Sequence, residues 1–237
     1  PYGEGNYKAL QRVKMREVHI DEIISATEKL FIEANVQLAD DVISAIREAL
    51  QKEESPMGKE VLQELLMNIQ IARDEQLPIC QDTGLAVIFI EVGQDVHISG
   101  GALRDALNEG VRRAYQRGYL RKSCCDPFTR ENTGDNTRAV IHMAIVPGDR
   151  VRIIAMPKGG GGENYSEVRM LTPSEGVAGI KKFVLEMVLK GGPNTCPPIM
   201  VGVGIGGNFE MSALLSKEAL MLPVGKRNDD PFIANLE

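Results

Sequence analysis

Apolar residues recur at helical spacing through the first third of the chain. After Met15, the stretch MREVHIDEIISATEKLFIEANVQL carries Ile23, Ile24, Ala26, Leu30 and Ile32 near a 3.6-residue period. Asp21 stands just ahead of that set, where an N-cap is favoured. Residues 39–52, ADDVISAIREALQK, predict a second helix. Ser55-Pro56 opens a third, over residues 55–75, with Val61, Leu62, Leu65, Leu66, Ile69 and Ile71 as its apolar set.

The pattern changes at Leu77-Pro78. LAVIFIEV (85–92) is short, apolar and β-branched, which predicts a strand. Residues 102–120 return to helical spacing. AVIHMAIV (139–146) and VRIIAM (151–156) predict two strands joined through the turn residues Pro147-Gly148-Asp149. Residues 173–190 predict a helix starting near Pro173. IMVGVGIGG (199–207) predicts a Gly-rich strand feeding a helix at 210–222. The expected fold class is mixed α/β (α+β). A helical N-terminal part, residues 15–75, would pack on a mixed-sheet body over residues 77–237. Residues 1–14, PYGEGNYKALQRVK, show no period, and Met15 reads as a natural start. That segment is expected to be appended to the natural chain, or disordered.

The composition narrows the function. With 237 residues, the chain can bury a sizeable core, as one large domain or two small ones. The net charge of −6 disfavours nucleic acid and anionic membranes as partners, but not a small anionic substrate. Trp is absent and aromatic residues make up 5%, too few for base-stacking platforms. No run reaches the length of a membrane span, and no signal-peptide pattern is present. The four cysteines are Cys80, Cys124, Cys125 and Cys196, and the adjacent pair does not suit a secreted disulfide framework. Reduced thiols and a cytoplasmic location are expected.

Five short motifs could carry chemistry. In PICQDTG, Cys80 offers a thiol beside the amide of Gln81 and the carboxylate of Asp82, and Gly84 permits a sharp entry to the strand. In GYLRKS, Arg121 is suited to bidentate carboxylate binding. RENTGDNTRAVIH packs Arg130, Asn132, Thr133, Asp135, Asn136 and Thr137 ahead of a strand. MPKGGGGEN exposes backbone N–H groups at Gly159 to Gly162 that could cradle an anion, without P-loop or dinucleotide spacing. NTCPPIMVGVGIGG places Cys196 before two prolines, a context also met at iron–sulfur ligands. Taken singly, each has a plain structural reading: a packed cysteine, a solvated arginine, a self-bonded loop or a flexible glycine turn.

In this succession the motifs resemble the class I fumarate hydratases and L-tartrate dehydratases. The match is nearest to the α subunits of the two-subunit forms and spans roughly residues 15–237. The resemblance implies an iron–sulfur hydro-lyase whose [4Fe–4S] cluster is held by three cysteines, with Cys80 and Cys196 matching the first two. Thiolates suit such clusters, and an iron without a protein ligand is a Lewis acid able to assist loss of a hydroxyl. The resemblance further implies that Gln81 and Asp82 contact the substrate, that Asp82 handles a proton, that Arg121 grips a substrate carboxylate, and that Gly160 and Gly161 approach the substrate.

The family's third cysteine lies further along the chain, and neither Cys124 nor Cys125 stands at its position. A missing C-terminal segment is therefore expected, which leaves open whether this chain retains a cluster. Further groups come in the family from the C-terminal domain or a separate β subunit, so the chain is expected to be inactive alone. The expected reaction is reversible hydration of fumarate to L-malate, with a β subunit as partner and a small dicarboxylate as substrate. The alternatives are an L-tartrate dehydratase α subunit, a zinc or thiol protein using Cys80 and Cys196, and a non-catalytic anion-binding module. The zinc reading lacks CxxC pairs and has only His19, His97 and His142 to draw on.

Overall fold

The computed structural model describes residues 15–237. The expectation for residues 1–14 lies outside them. In chain order the helices are α1 (Ile20–Val36), α2 (Asp40–Lys52), α3 (Pro56–Glu75), α4 (Leu103–Arg117), α5 (Gly160–Glu163), α6 (Gly176–Gly191), α7 (Phe209–Ala219) and α8 (Pro231–Leu236). A 3-10 turn covers Gly192–Thr195. The strands are β1 (Arg16–His19), β2 (Leu85–Gly93), β3 (Val96–Ser99), β4 (Val140–Val146) and β5 (Val151–Lys158). A mixed helix-and-sheet fold is what forms.

The chain makes two compact units. One takes its described residues from the stretch up to Ala34 and from Leu85–Pro157; the other takes Asn35–Gly84 and Lys158–Glu237. Both units draw on either side of the change in pattern at Leu77.

The first unit is organised by β2. A three-stranded sheet has the order β4-β2-β5, and β2 pairs with β4 in parallel from Val87↔Val140 to Gly93↔Val146. A central strand covered on both faces reads as a continuous apolar run, which is the texture of LAVIFIEV; Ala86 to Ile90 are all buried. Phe89 stacks on its register partner His142 with ring centroids 4.7 Å apart. Helices α1 and α4 supply Ile23, Ile24, Phe31, Leu107, Val111 and Tyr115 to the same core. Gly110 allows α4 to approach α1: a Cβ there would lie 2.5 Å from Thr27 Cβ. Strands β1 and β3 form a separate parallel pair, Arg16↔Val96 to His19↔Ser99. At four residues each, they are too short to reveal an alternation in the sequence.

In the second unit α2 and α3 pack through Ile46, Leu62 and Ile69, ringed by Val42, Ile43, Leu50, Leu65 and Leu66. Ser55 caps α3, its Oγ accepting from Gly58 N at 3.4 Å, with Pro56 in the first turn.

Several expectations need correction. Asp21 does not cap α1. The helix starts at Ile20, and the carboxylate sits in the first turn, where it suits the positive end of the helix dipole. The buried stripe of α1 runs through Ile23, Ile24, Thr27 and Phe31, and Ala26 is exposed. On α3 the i, i+3, i+4, i+7 set Leu62, Leu65, Leu66 and Ile69 faces the core, which turns Val61 and Ile71 outward at 45% exposure each.

Residues 199–207 join no sheet. Within them, the spacing of Gly202 and Gly204 against α7 fits an extended course. Cβ atoms built at Gly202 and Gly204 would meet Ser216 O and Ser212 O of α7 at 2.1 and 2.0 Å. Two strand residues rise about 6.6 Å and four helix residues about 6.0 Å. The two glycines thus track one helix turn as an extended chain must, and the intervening Val203 points away at 41% exposure.

These faces make a test. Phe31→Ala removes a fully buried ring and should cost about 3–5 kcal/mol. Ile71→Ala, on the outer face of α3, should change stability by less than about 0.5 kcal/mol. Urea unfolding of the two variants measures both.

Candidate functional site

The five motifs fall into two groups, one in each unit. In the second unit, Asp82 joins the PICQDTG turn to the glycine run. Its Oδ2 accepts from Gly160 N at 2.9 Å and its Oδ1 from Gly84 N at 3.1 Å. Gly84 makes this approach possible. It has φ +72°, and a Cβ there would overlap the Lys158 carbonyl carbon at 2.4 Å. A side chain would meet backbone, which cannot give way, in a conformation already unfavourable for L-residues. Asp82 N donates to Cys80 Sγ at 3.4 Å, and that sulfur lies 3.3 Å from Gln81 Oε1. Cys80 and Gln81 are exposed and Thr83 is buried, so the turn is anchored at Thr83 and open at its cysteine.

The glycine run, expected either to cradle an anion or to be a flexible loop, is neither a P-loop nor an open loop. It forms one helical turn, α5, and reaches towards the Cys196 segment. A Cβ on Gly161 would sit 2.9 Å from Asn194 O, and Asn194 Nδ2 donates to Tyr165 Oη at 2.9 Å. Cys196 follows the 3-10 turn, exposed and with φ 56°, its N–H donating to Pro193 O at 3.2 Å. The motif of Cys80, the glycines and the motif of Cys196 are therefore successive neighbours: Asp82 touches Gly160, and Gly161 touches Asn194.

A charged cluster stands beside this turn. Glu163, the last residue of α5, is bonded by Lys217 of α7, with Lys158 Nζ at 3.5 Å. Burial works against its charge, but the Lys217 and Lys158 ammonium groups outweigh it and hold the carboxyl below the ordinary range. Lys217 lies far from any motif, and no sequence signal marked it.

In the first unit, the polar loop builds the seat of the segment that carries Arg121. Asn136 is fully buried with φ 59°, and its Oδ1 accepts from Ser123 N at 2.6 Å and Cys124 N at 3.0 Å. Asn132 Nδ2 donates to Lys122 O at 3.0 Å. Asp135 accepts from Thr137 N at 3.0 Å and from Arg112 Nε at 3.0 Å. Arg121 itself is exposed. Burial pushes the Cys124 thiol up, with the Asp135 charge adding to it, so this thiol is a poorer source of thiolate.

The family described as Fumarate hydratase (Fumerase) matches residues 24–237. The chain belongs to this family. A Methanocaldococcus jannaschii relative, provisionally named an L(+)-tartrate dehydratase subunit alpha, is 40% identical over 215 residues, covering 88% of this chain and 75% of its own length. The L(+)-tartrate dehydratase subunit alpha of Escherichia coli strain UTI89 is 36% identical over 207 residues, covering 86% of this chain and 68% of its own. That of Escherichia coli strain K12 is 35% identical over the same span.

All four cysteines are free, and Cys80 and Cys196 are the exposed ones. A backbone N–H on Cys80 Sγ is a donor suited to a thiolate. Among the described residues no group of three or more His, Cys, Asp or Glu is placed to hold a metal ion. Two exposed thiols are thus present, and among the described residues no third donor stands with them.

The polar seat of the arginine segment has an acid signature. Burial opposes the charge on Asp135, but the Thr137 N–H and hydroxyl and the Arg112 guanidinium prevail and hold its carboxyl below the ordinary value of 3.8. The unfolded chain therefore binds more protons than the folded one just below that value. The stabilisation is complete above it and is lost as the pH falls through the lowered folded value. Asp135→Asn should flatten the fall in stability below about pH 4, read from urea midpoints between pH 6 and pH 3.

Proposed function

We propose that the chain is the α subunit of a hydro-lyase that adds or removes water at a four-carbon 2-hydroxy dicarboxylate, working with a separate β subunit. The observation that carries this reading is Asp82, fixed by two backbone N–H groups beside an exposed thiol in a chain of the fumarase family. Fumarate and L-malate follow from the family's description. L(+)-tartrate is a second reading, favoured by the names of the relatives. Both dehydrations are the same chemistry: a proton leaves one carbon and hydroxide leaves its neighbour.

In this reading Cys80 and Cys196 hold a [4Fe–4S] cluster, with the remaining ligand from outside the described residues. When bound, the cluster supplies a Lewis acid for the poor hydroxide leaving group. This chain's own groups bind and orient. Arg121 pairs with one substrate carboxylate, as a planar guanidinium does well. Gln81 donates an amide hydrogen bond, and the backbone at Gly160 and Gly161 meets a substrate oxygen. Each carboxylate oxygen of Asp82 keeps a lone pair beyond its N–H bond. The side chain can therefore stay in place and still exchange a proton with the substrate. No described helix is long and apolar enough to cross a membrane.

The test is steady-state kinetics after anaerobic reconstitution with a β subunit, using L-malate, fumarate and L(+)-tartrate. Arg121→Ala should leave the cluster spectrum unchanged and lower kcat/KM several-fold to a thousandfold, about 1–4 kcal/mol. Asp82→Asn should mainly lower kcat. Cys80→Ser should lose iron. Wild-type kinetics in the first two variants, with full iron in the third, would contradict the assignment.

A further inference from the structure

Four consecutive glycines, Gly159 to Gly162, have no side chains to hold them. Glycine loses more conformational freedom on ordering than any other residue, and one isolated helical turn is not stable by itself. The turn is nevertheless fixed at both ends. At its start, Gly160 N donates to Asp82. At its close, Glu163 is held from two sides: Lys217 Nζ of α7 donates to Oε2, and Lys158 Nζ stands 3.5 Å from the same oxygen. Lys158 Nζ also reaches Gly159 O at 3.4 Å.

These are not ordinary surface pairs. The Lys158 and Lys217 side chains keep only 19% and 20% of their exposure, against 39% for Glu163. Exposed pairs contribute little because water screens them and the long side chains must be ordered. Here the lysine stems are already covered, and two ammonium groups share one carboxylate. The carboxylate belongs to the only residue of α5 with a side chain.

We infer that Lys217 and Lys158 are positioning residues that hold the glycine turn through Glu163, and through the Gly160 N–H hold the carboxylate of Asp82 in its working orientation. The link to Asp82 rests on the hydro-lyase reading above; the clamp on the turn does not. Lys217 is the decisive partner because it comes from a different element, so its bond ties α5 to α7. Lys158 is close in sequence and is placed largely by β5.

Amide hydrogen exchange of the peptide covering residues 158–165 tests the clamp without any assay of activity. Lys217→Met and Glu163→Gln should each speed exchange at the glycine amides by about 3- to 30-fold. Lys217→Arg, which keeps the charge and the donor, should stay near wild type, and the β2 amides should not change in any variant. In the chain reconstituted with a β subunit, Lys217→Met should lower kcat by a similar factor with little change in KM, and Lys217→Arg should restore it. Unchanged glycine exchange in both Lys217→Met and Glu163→Gln would overturn the clamp. Faster exchange with wild-type kcat would overturn its link to Asp82. A wild-type chain without hydro-lyase activity, alongside faster exchange in Lys217→Met, would sink the reading of the reaction and leave the clamp standing.

Discussion

The hydrogen bond from Gly160 N to Asp82 is the constraint on which the second unit's site depends. It joins residues 78 positions apart, and it forms only because Gly84 lets the backbone pass against Lys158 and Gly159 at a distance no Cβ would tolerate. The glycine of CQDTG therefore has a definite physical cause at this crossing. Two stretches of main chain must lie in contact, so that a short carboxylate side chain can span from one to the other. The same close packing continues at Gly161, which lies against Asn194 just ahead of Cys196.

The first unit solves a similar problem with a side-chain amide. Asn136 has no exposure, and its oxygen accepts two consecutive backbone N–H groups, at Ser123 and Cys124. A buried amide satisfied this way fixes the course of the chain just after Arg121. Asp135 and Arg112 brace the loop from its other side. In both units a short polar side chain gathers backbone donors, and the groups proposed to meet substrate stand beside it.

Much of this was legible in the sequence, for identifiable reasons. β2 could be read from LAVIFIEV because a strand covered on both faces shows a continuous apolar run. Helices α2 and α3 could be read because one face of each is apolar at regular spacing. The cap at Ser55 followed from Ser-Pro. What escaped had no local imprint. Thr27 and Phe31, not Ala26, face the core of the first unit, because the stripe is set by where α4 and the sheet lie. The strand expected at 199–207 has the right composition, and Gly202 to Gly204 follow α7 as an extended chain would, but strand status needs a hydrogen-bonded neighbour. The glycine run reads as a loop until Asp82 and Lys217, both distant in sequence, fix its two ends. Of the site, the motif residues were visible as types, whereas their grouping was not: Cys80 with the glycines and Asn194 in one unit, Arg121 with Asn136 in the other.

The proposed site turns on the motifs of Cys80 and Cys196 being its two walls, joined through Asp82 and the glycine turn. Bridging of the two thiols by a short bifunctional alkylating reagent tests it most directly, in a Cys124→Ser, Cys125→Ser background so that no other thiol competes. Mass spectrometry of the digested product reads the outcome, and neither a cluster nor a partner subunit is required. One reagent molecule should link the Cys80 and Cys196 peptides, and Gly161→Ala, which pushes Asn194 away, should reduce the yield. Two separately alkylated cysteines with no bridged peptide would contradict this arrangement.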